Sequence, residues 1–76
     1  MSPRLPRITP GELLRALHRD GWEEIRQTGS HVQLRHPTKT GRVTVALHGQ
    51  RTINPKTRTS ALRQAGLTVD ELQDLL

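Results

Sequence analysis

The sequence predicts an α+β fold with the element order α-β-β-β-α and a short added helix at the C-terminus. Helix-start signals stand at Thr9 and Thr68, and apolar residues alternate with polar ones through the middle of the chain. Short turn signals join the alternating runs, which favours a three-stranded antiparallel sheet with the helices on one face. With 76 residues, 32% of them hydrophobic, the core must be small. We therefore expect any chemistry on an open face or groove.

The first helix begins at Thr9. Thr9-Pro10-Gly11-Glu12 has the form of a capping box, with proline at the first helical position. Leu13, Leu14 and Leu17 follow at helical spacing, and Asp20-Gly21 ends the helix. Residues 1–8, before the box, are expected to form a basic N-terminal arm, and residues 9–76 a single domain.

Three strands are predicted next, as a meander. The first runs from Trp22 to Thr28, and Gly29-Ser30 forms the turn after it. In residues 31–36, Val32 and Leu34 alternate with polar residues, and residues 42–47 alternate in the same way. If the apolar set faces the helices, three side chains face away from the core: His31, Gln33 and Arg35.

Two helices complete the predicted fold. Residues 49–55 are a polar connection, and the second helix is expected from about Thr57 to Ala65, stopping at Gly66. The segment from Thr68 to Glu71 repeats the capping-box form. A short apolar stripe follows it: Leu72, Leu75 and Leu76.

Charge is distributed unevenly along the chain, whose formal net charge is +5. No Asp or Glu lies between Glu24 and Asp70. That span contains these cations and histidines: Arg26, Arg35, Lys39, Arg42, Arg51, Lys56, Arg58, Arg63, His31, His36 and His48. Such a field predicts a polyanionic partner, either nucleic acid or an acidic protein. Because Trp22 is the one aromatic residue and is expected in the core, base stacking on aromatic platforms is not expected.

His31 is the main candidate for chemistry. It follows Gly29-Ser30, so it stands at the first position of a strand that leaves a tight turn. Imidazole can donate or accept a proton near neutral pH, as RNA cleavage through the 2′-hydroxyl requires. The alternative is that His31 is an ordinary residue at the end of a strand. Ser30 and His48 are possible supporting residues, the latter only if the strand registers bring it near.

Several classes of function are disfavoured. The chain has no cysteine, which excludes disulfides, thiolate zinc sites and a cysteine nucleophile. The histidine spacing does not indicate a metal site, and the central basic span offers no carboxylate ligand. We expect no metal and no small-molecule cofactor. No apolar run reaches the ~20 residues of a membrane span, so a cytoplasmic location is expected.

Four segments resemble one known family. They are Asp20-Gly21-Trp22, the run from Gly29-Ser30-His31 to His36-Pro37, the run from Thr44 to His48-Gly49, and the run Leu62-Arg63-Gln64-Ala65-Gly66-Leu67. Together they resemble the HicA family of toxins over nearly the whole chain from Thr9 onward. Several positions depart from the family pattern. Ala46 stands where the family usually has proline. The second helix often opens Gly-Thr-Leu-Arg-Ser in the family but reads Lys56-Thr57-Arg58-Thr59-Ser60 here, so Thr59 stands where the family often has arginine.

The resemblance implies a fold like that of a double-stranded RNA-binding domain and a ribosome-independent mRNA endonuclease activity. It also implies neutralisation by a cognate HicB-like antitoxin that covers the catalytic histidine, which falls on His31 here. In this interpretation His31 is the general acid or base. The phosphates are held by Arg35, Lys39, Arg42, Lys56 and Arg58.

Two other interpretations of the basic sequence stay open. One is a non-catalytic RNA-binding module with the same fold. The other is a DNA-binding regulator that uses the basic second helix, although that helix has little base-reading chemistry beyond its cations.

Overall fold

The computed structural model describes residues 7–47 and 52–76, and its element order confirms the predicted fold class. The elements are α1 (Pro10–Arg19), β1 (Glu23–Thr28), β2 (His31–Arg35), β3 (Arg42–Ala46), α2 (Pro55–Ala65) and α3 (Val69–Leu75). The strands form an antiparallel sheet in the order β1-β2-β3, so β2 is central and β3 is the edge on which α2 packs.

Both predicted capping boxes are present. At the start of α1, the Glu12 backbone N–H donates to Thr9 Oγ1 at 3.1 Å, and the Thr9 N–H donates to Glu12 Oε1 at 3.0 Å. The bonds from the backbone and hydroxyl of Thr9 hold the pKa of Glu12 below its usual value. Thr68 and Glu71 make the same pair of bonds at the start of α3.

The second helix begins at Pro55, two residues before the predicted start at Thr57. Asn54 is its N-cap, because the Asn54 side chain accepts the Lys56 backbone N–H at 2.8 Å. Pro55 therefore occupies the first turn, as Pro10 does in α1, and the polar connection ends one residue earlier than predicted. Gly66 ends α2 in the left-handed conformation, with φ +68°.

The core lies between the helices and one face of the sheet. Val32 and Leu34 of β2 and Val43 and Val45 of β3 are all buried, whereas His31 and Arg35 are exposed. The predicted alternation is therefore confirmed. Trp22 is buried too, as expected, and it fills the space between α1 and the sheet ends.

The packed part of the chain starts before α1. Ile8 is buried, and its carbonyl accepts the Ile53 backbone N–H at 2.7 Å. The last residue of the predicted N-terminal arm thus belongs to the core, while residues 1–6 of that arm lie outside the described residues. At the other end Leu72 is buried but Leu76 is exposed, so the predicted C-terminal stripe is only partly covered. No helix among the described residues has the length and apolarity needed to cross a membrane.

Candidate nucleic-acid interface

The side of the sheet that faces away from the helices is polar and basic. Residues directly opposite each other in an antiparallel sheet share a face, so the pairing register defines this surface, here called the outer face. It consists of Glu23, Arg26, Thr28, His31, Gln33, Arg35, Arg42, Thr44 and Ala46. All of these residues are exposed or partly exposed. The outer face therefore presents arginines, amides and hydroxyls to a ligand, with Glu23 as its carboxylate.

His31 occupies one end of the outer face, on the central strand. It lies opposite Thr28 of β1 and Ala46 of β3. The preceding turn is fixed by Gly29, which has φ +58°, and by the Ser30 carbonyl, which accepts the Leu47 backbone N–H at 2.6 Å. The backbone of His31 is thus held between two strands while its side chain is exposed. Ser30 contributes to this arrangement through its backbone carbonyl.

Arg35 and Arg42 occupy the opposite end of the outer face. They are directly opposite each other, and Glu23 lies opposite Arg35 on the other side. Four residues separate His31 from Arg35 on the same strand, which corresponds to about 13 Å. The Arg42 Nη1 donates to Gln33 Oε1 at 3.4 Å, in the middle of the face. The position of Arg35 is therefore too far along the sheet to share one phosphate with His31, whereas the guanidinium of Arg42 reaches the middle of the face.

Arg26 is a cation of the outer face that the sequence interpretation did not select. It lies opposite Gln33, between the two ends, because the register of β1 shifts between Glu24 and Arg26. A simple alternation along β1 does not anticipate that shift, and the Glu-rich start of the strand gave no reason to single out Arg26. Gln33 lies two positions along the strand from His31, or about 7 Å, so the backbone position of Arg26 is nearer to His31 than that of Arg35 is.

Lys39 is engaged in a structural cluster. Its Nζ donates to Asp20 Oδ2 at 2.7 Å and to the Ala65 carbonyl at 3.1 Å. The Trp22 Nε1 also donates to Asp20 Oδ2, at 3.2 Å. These bonds connect the end of α1, the loop between β2 and β3, and the end of α2. The geometry favours a structural role for Lys39 over the predicted contact with phosphate.

His36 belongs to the same cluster. Its Nδ1 accepts the backbone N–H groups of Thr38 and Lys39 at 3.1 and 3.0 Å, so the ring proton is on Nε2. The Nε2–H then donates to the Asp20 carbonyl at 2.7 Å. The ring also packs edge-on against Trp22, with centroids 5.2 Å apart. Both ring nitrogens are therefore occupied by the fold, as expected for a strand-end histidine that packs and bonds locally.

The cations of α2 point in different directions. Lys56 is exposed, as a phosphate-binding residue needs to be. Arg58 is half-buried, because it precedes Ala61 by three residues and Leu62 by four and so shares their buried side of the helix. Its Nε is buried and has no hydrogen-bond partner among the described residues. Arg63, which the sequence interpretation left out of the site, is exposed.

His18 is separate from the outer face. His18 lies on α1 with its Nε2 3.8 Å from a Glu24 carboxylate oxygen, and both side chains are about half exposed. His48, a predicted supporting residue, lies outside the described residues. Within residues 7–47 and 52–76, no three His, Asp or Glu side chains come together in a way that could hold a metal ion.

A small α+β protein with one basic, open sheet face is suited to a polyanionic partner. Comparison with known families identifies it more closely. The family model described as HicA toxin of bacterial toxin-antitoxin matches residues 11–67, from the first turn of α1 to the second residue after the end of α2. A comparison with curated proteins gives no match. The chain belongs to the HicA toxin family, and membership implies a cognate antitoxin as its protein partner.

Proposed function

We propose that this toxin is a metal-independent endoribonuclease that cleaves mRNA, with His31 as general acid or base. The observation that carries the proposal is the position of His31. Its side chain is exposed at the end of the central strand, on a face that also carries Arg26, Arg35 and Arg42. His36 directly follows β2, and both of its ring nitrogens are hydrogen-bonded to backbone groups.

The reaction uses the RNA's own 2′-hydroxyl. The 2′-oxygen attacks the neighbouring phosphorus, the bond from phosphorus to the 5′-oxygen breaks, and a 2′,3′-cyclic phosphate and a 5′-hydroxyl result. A base must take the 2′ proton, and an acid must give a proton to the departing 5′-oxygen. His31 fills one of these two roles, as the base when it is neutral or as the acid when it is protonated, and water or a second group exchanges the other proton. A positioned imidazole typically contributes about 10²–10⁴-fold to the rate of such a proton transfer.

The arginines of the outer face act on different phosphates. Arg26 is the described strand cation with the shortest separation from His31 along the sheet, and it is assigned to the negative charge that develops at the scissile phosphate. Arg35, whose backbone position is about 13 Å from His31, holds a phosphate further along the chain, and Arg42, whose guanidinium lies at Gln33, holds one in the middle of the face. Lys56 on α2 adds to this binding. Lys39 and Arg58 leave the proposed RNA-binding set, because one is bonded within the fold and the other is half-buried.

The antitoxin is proposed to be a HicB-like protein that covers the outer face. Carboxylates from the partner would pair with the arginines of that face and block access to His31. Since the proposed substrate is mRNA, the toxin would act in the cytoplasm.

A cleavage assay with matched histidine variants tests the proposal. Purified parent, His31→Ala and His18→Ala proteins are incubated with RNA in the presence of EDTA. We expect cleavage by the parent and by His18→Ala, because His18 is an exposed histidine on α1, away from the outer face. We expect the rate of His31→Ala to fall by ~10²-fold or more. Cleavage by His31→Ala at the parental rate would show that the assignment is wrong.

A gel-shift experiment on the same proteins separates catalysis from binding. If the parent binds RNA with steep salt dependence but forms no product, the chain is a non-catalytic RNA-binding module. Stronger binding to duplex DNA than to RNA would instead favour a DNA-binding regulator.

A further inference from the structure

The solvent side of α2 carries an open groove with a volume of about 340 Å³. The described residues that line it are Pro55, Lys56, Thr59, Ser60 and Arg63. Spacings of three, four and seven residues bring these side chains to one side of a helix. Ala61, Leu62 and Ala65 occupy the buried side of α2. The α2 groove therefore faces away from the core and away from the outer face of the sheet.

The chemistry of the α2 groove suits a phosphodiester backbone. Lys56 and Arg63 supply cationic donors, and Thr59 and Ser60 supply hydroxyls between them. Arginine, lysine, serine and threonine are the side chains that commonly bind phosphate oxygens, and no carboxylate is among the described lining residues. A carboxylate-free basic groove has a positive potential, which attracts polyanions and repels cations.

The groove is longer than a single phosphate. Seven residues separate Lys56 from Arg63, which places them about 10.5 Å apart along the helix axis. Successive phosphates of one stacked strand rise ~3.4 Å, so the two cations span roughly three nucleotides. The lining residues extend from the first turn of α2 to its last. The groove thus fits a segment of backbone better than a lone anion.

The edge of β3 separates the two basic surfaces. The Gln64 Oε1 of α2 accepts the Thr44 backbone N–H at 2.9 Å, which fixes the helix to the edge of the sheet. Gln64 directly follows Arg63, and Ala46, on the same strand as Thr44, lies opposite His31. An RNA strand on the outer face at His31 can therefore leave the sheet across β3 and continue toward α2.

We infer that the α2 groove is a second RNA-binding site, which holds the backbone outside the segment that lies at His31. This inference rests on the proposed function, since it assigns RNA as the ligand. If the inference is correct, the affinity of the protein for RNA depends on the length of the RNA. An RNA of about 4 nucleotides can occupy the outer face alone, whereas one of about 20 nucleotides reaches both surfaces. The longer RNA gains affinity from Lys56 and Arg63.

Binding of non-cleavable RNA tests the α2 groove independently of catalysis. Fully 2′-O-methylated RNA keeps every phosphate but lacks the attacking hydroxyl. Dissociation constants for the short and long forms are measured by fluorescence anisotropy at several salt concentrations. The test variant is Lys56→Gln/Arg63→Gln. The matched control is Arg7→Gln/Arg15→Gln, which removes the same charge from exposed residues near α1.

For the test variant we expect about tenfold weaker binding of the long RNA and a much smaller change for the short RNA. Its log–log salt slope for the long RNA should fall by about 1.4, because two contacts with a single strand are lost. If the test variant and the control lose the same affinity for the long RNA, general charge explains the effect, and the assignment of the α2 groove as an RNA-binding site is wrong. The assignment is also wrong if the test variant binds the long RNA as tightly as the parent does. If the long RNA binds as expected but unmodified RNA is never cleaved, the nuclease proposal fails and the groove stands. If the parent binds no RNA, both fail.

Discussion

Gly21 connects the end of α1 to the structural cluster around His36, and its replacement by alanine should be unusually costly. Gly21 has φ +105°, and a Cβ at this position would lie 2.6 Å from His36 Nε2. The left-handed conformation alone costs a residue with a side chain about 1–2 kcal/mol. The ring must also move away from the Asp20 carbonyl and from Trp22, which loses a hydrogen bond and an aromatic contact worth about 1 kcal/mol each. The expected loss is about 3–4 kcal/mol.

Gly41→Ala provides a matched control for this prediction. Gly41 has φ +84°, but nothing lies within 4 Å of a Cβ added there. Its replacement should therefore cost only the conformational part, about 1–2 kcal/mol. The difference between the two variants, about 2 kcal/mol, measures the contact with His36. A chain of this length has a total stability of roughly 4–11 kcal/mol, so Gly21→Ala removes a large share of it.

Urea denaturation monitored by Trp22 fluorescence provides the assay. Trp22 is the chain's one aromatic residue, it is buried, and it contacts His36, so its emission reports directly on this region. With a urea m-value of about 1 kcal/mol/M, the midpoint of Gly21→Ala should lie about 2 M below that of Gly41→Ala. Adding His36→Ala should make the Gly21→Ala change less costly, because the obstructing ring is gone. Equal midpoints for the two glycine variants would refute the reasoning.

Three further predictions concern contacts within the fold. Lys39→Met should lower the free energy of unfolding by about 1–2 kcal/mol in a urea titration, because it removes the bonds to Asp20 and the end of α2. Parental stability combined with a loss of RNA binding would show that Lys39 acts on the ligand instead. Gln64→Leu should speed hydrogen exchange of the Thr44 amide at least severalfold, because that N–H loses its acceptor. An unchanged exchange rate would contradict the contact. Because folding lowers the pKa of Glu12, the ionised Glu12 carboxylate stabilises the folded state at neutral pH. This stabilisation is lost as the pH falls through and below 4.5. Glu12→Gln should therefore show a smaller drop of the urea midpoint between pH 7 and pH 3 than the parent, and an identical drop would contradict the assignment.

The helices were predictable where local chemistry sets their ends. Thr9 and Glu12 lie three residues apart, so the sequence alone identifies the box that starts α1. Asn54-Pro55 carries the same kind of signal, but it lies in a polar stretch that also fits a loop, and α2 was therefore predicted to start too late. The strand faces were predictable because alternation on β2 has a period of two.

The candidate site was less predictable, because its composition depends on contacts between distant residues. Nothing local to Lys39 indicates that its ammonium meets Asp20, 19 residues earlier, and the Ala65 carbonyl, 26 residues later. The position of Arg26 depends on a shift of register within β1. For α2, the helical spacing of the sequence does indicate which cations are exposed and which are half-buried. Arg58 shares a side with Ala61 and Leu62, whereas Arg63 is seven residues from Lys56 and shares its side.

The basic charge of this toxin is divided between two surfaces. The outer face holds His31 with the strand arginines, and the α2 groove holds Lys56 and Arg63. Exposed positions such as these contribute little to folding, so their substitution should alter RNA binding or cleavage with small effects on stability.

The most direct test of the account is the single-turnover rate of RNA cleavage by His31→Ala, measured with protein in excess and compared with the parent. Excess protein removes differences in binding and product release, so the ratio of rates reports on the proton transfer itself. The account predicts a rate lower by about 10²–10⁴-fold with the fold intact by Trp22 fluorescence. A rate equal to that of the parent would contradict it.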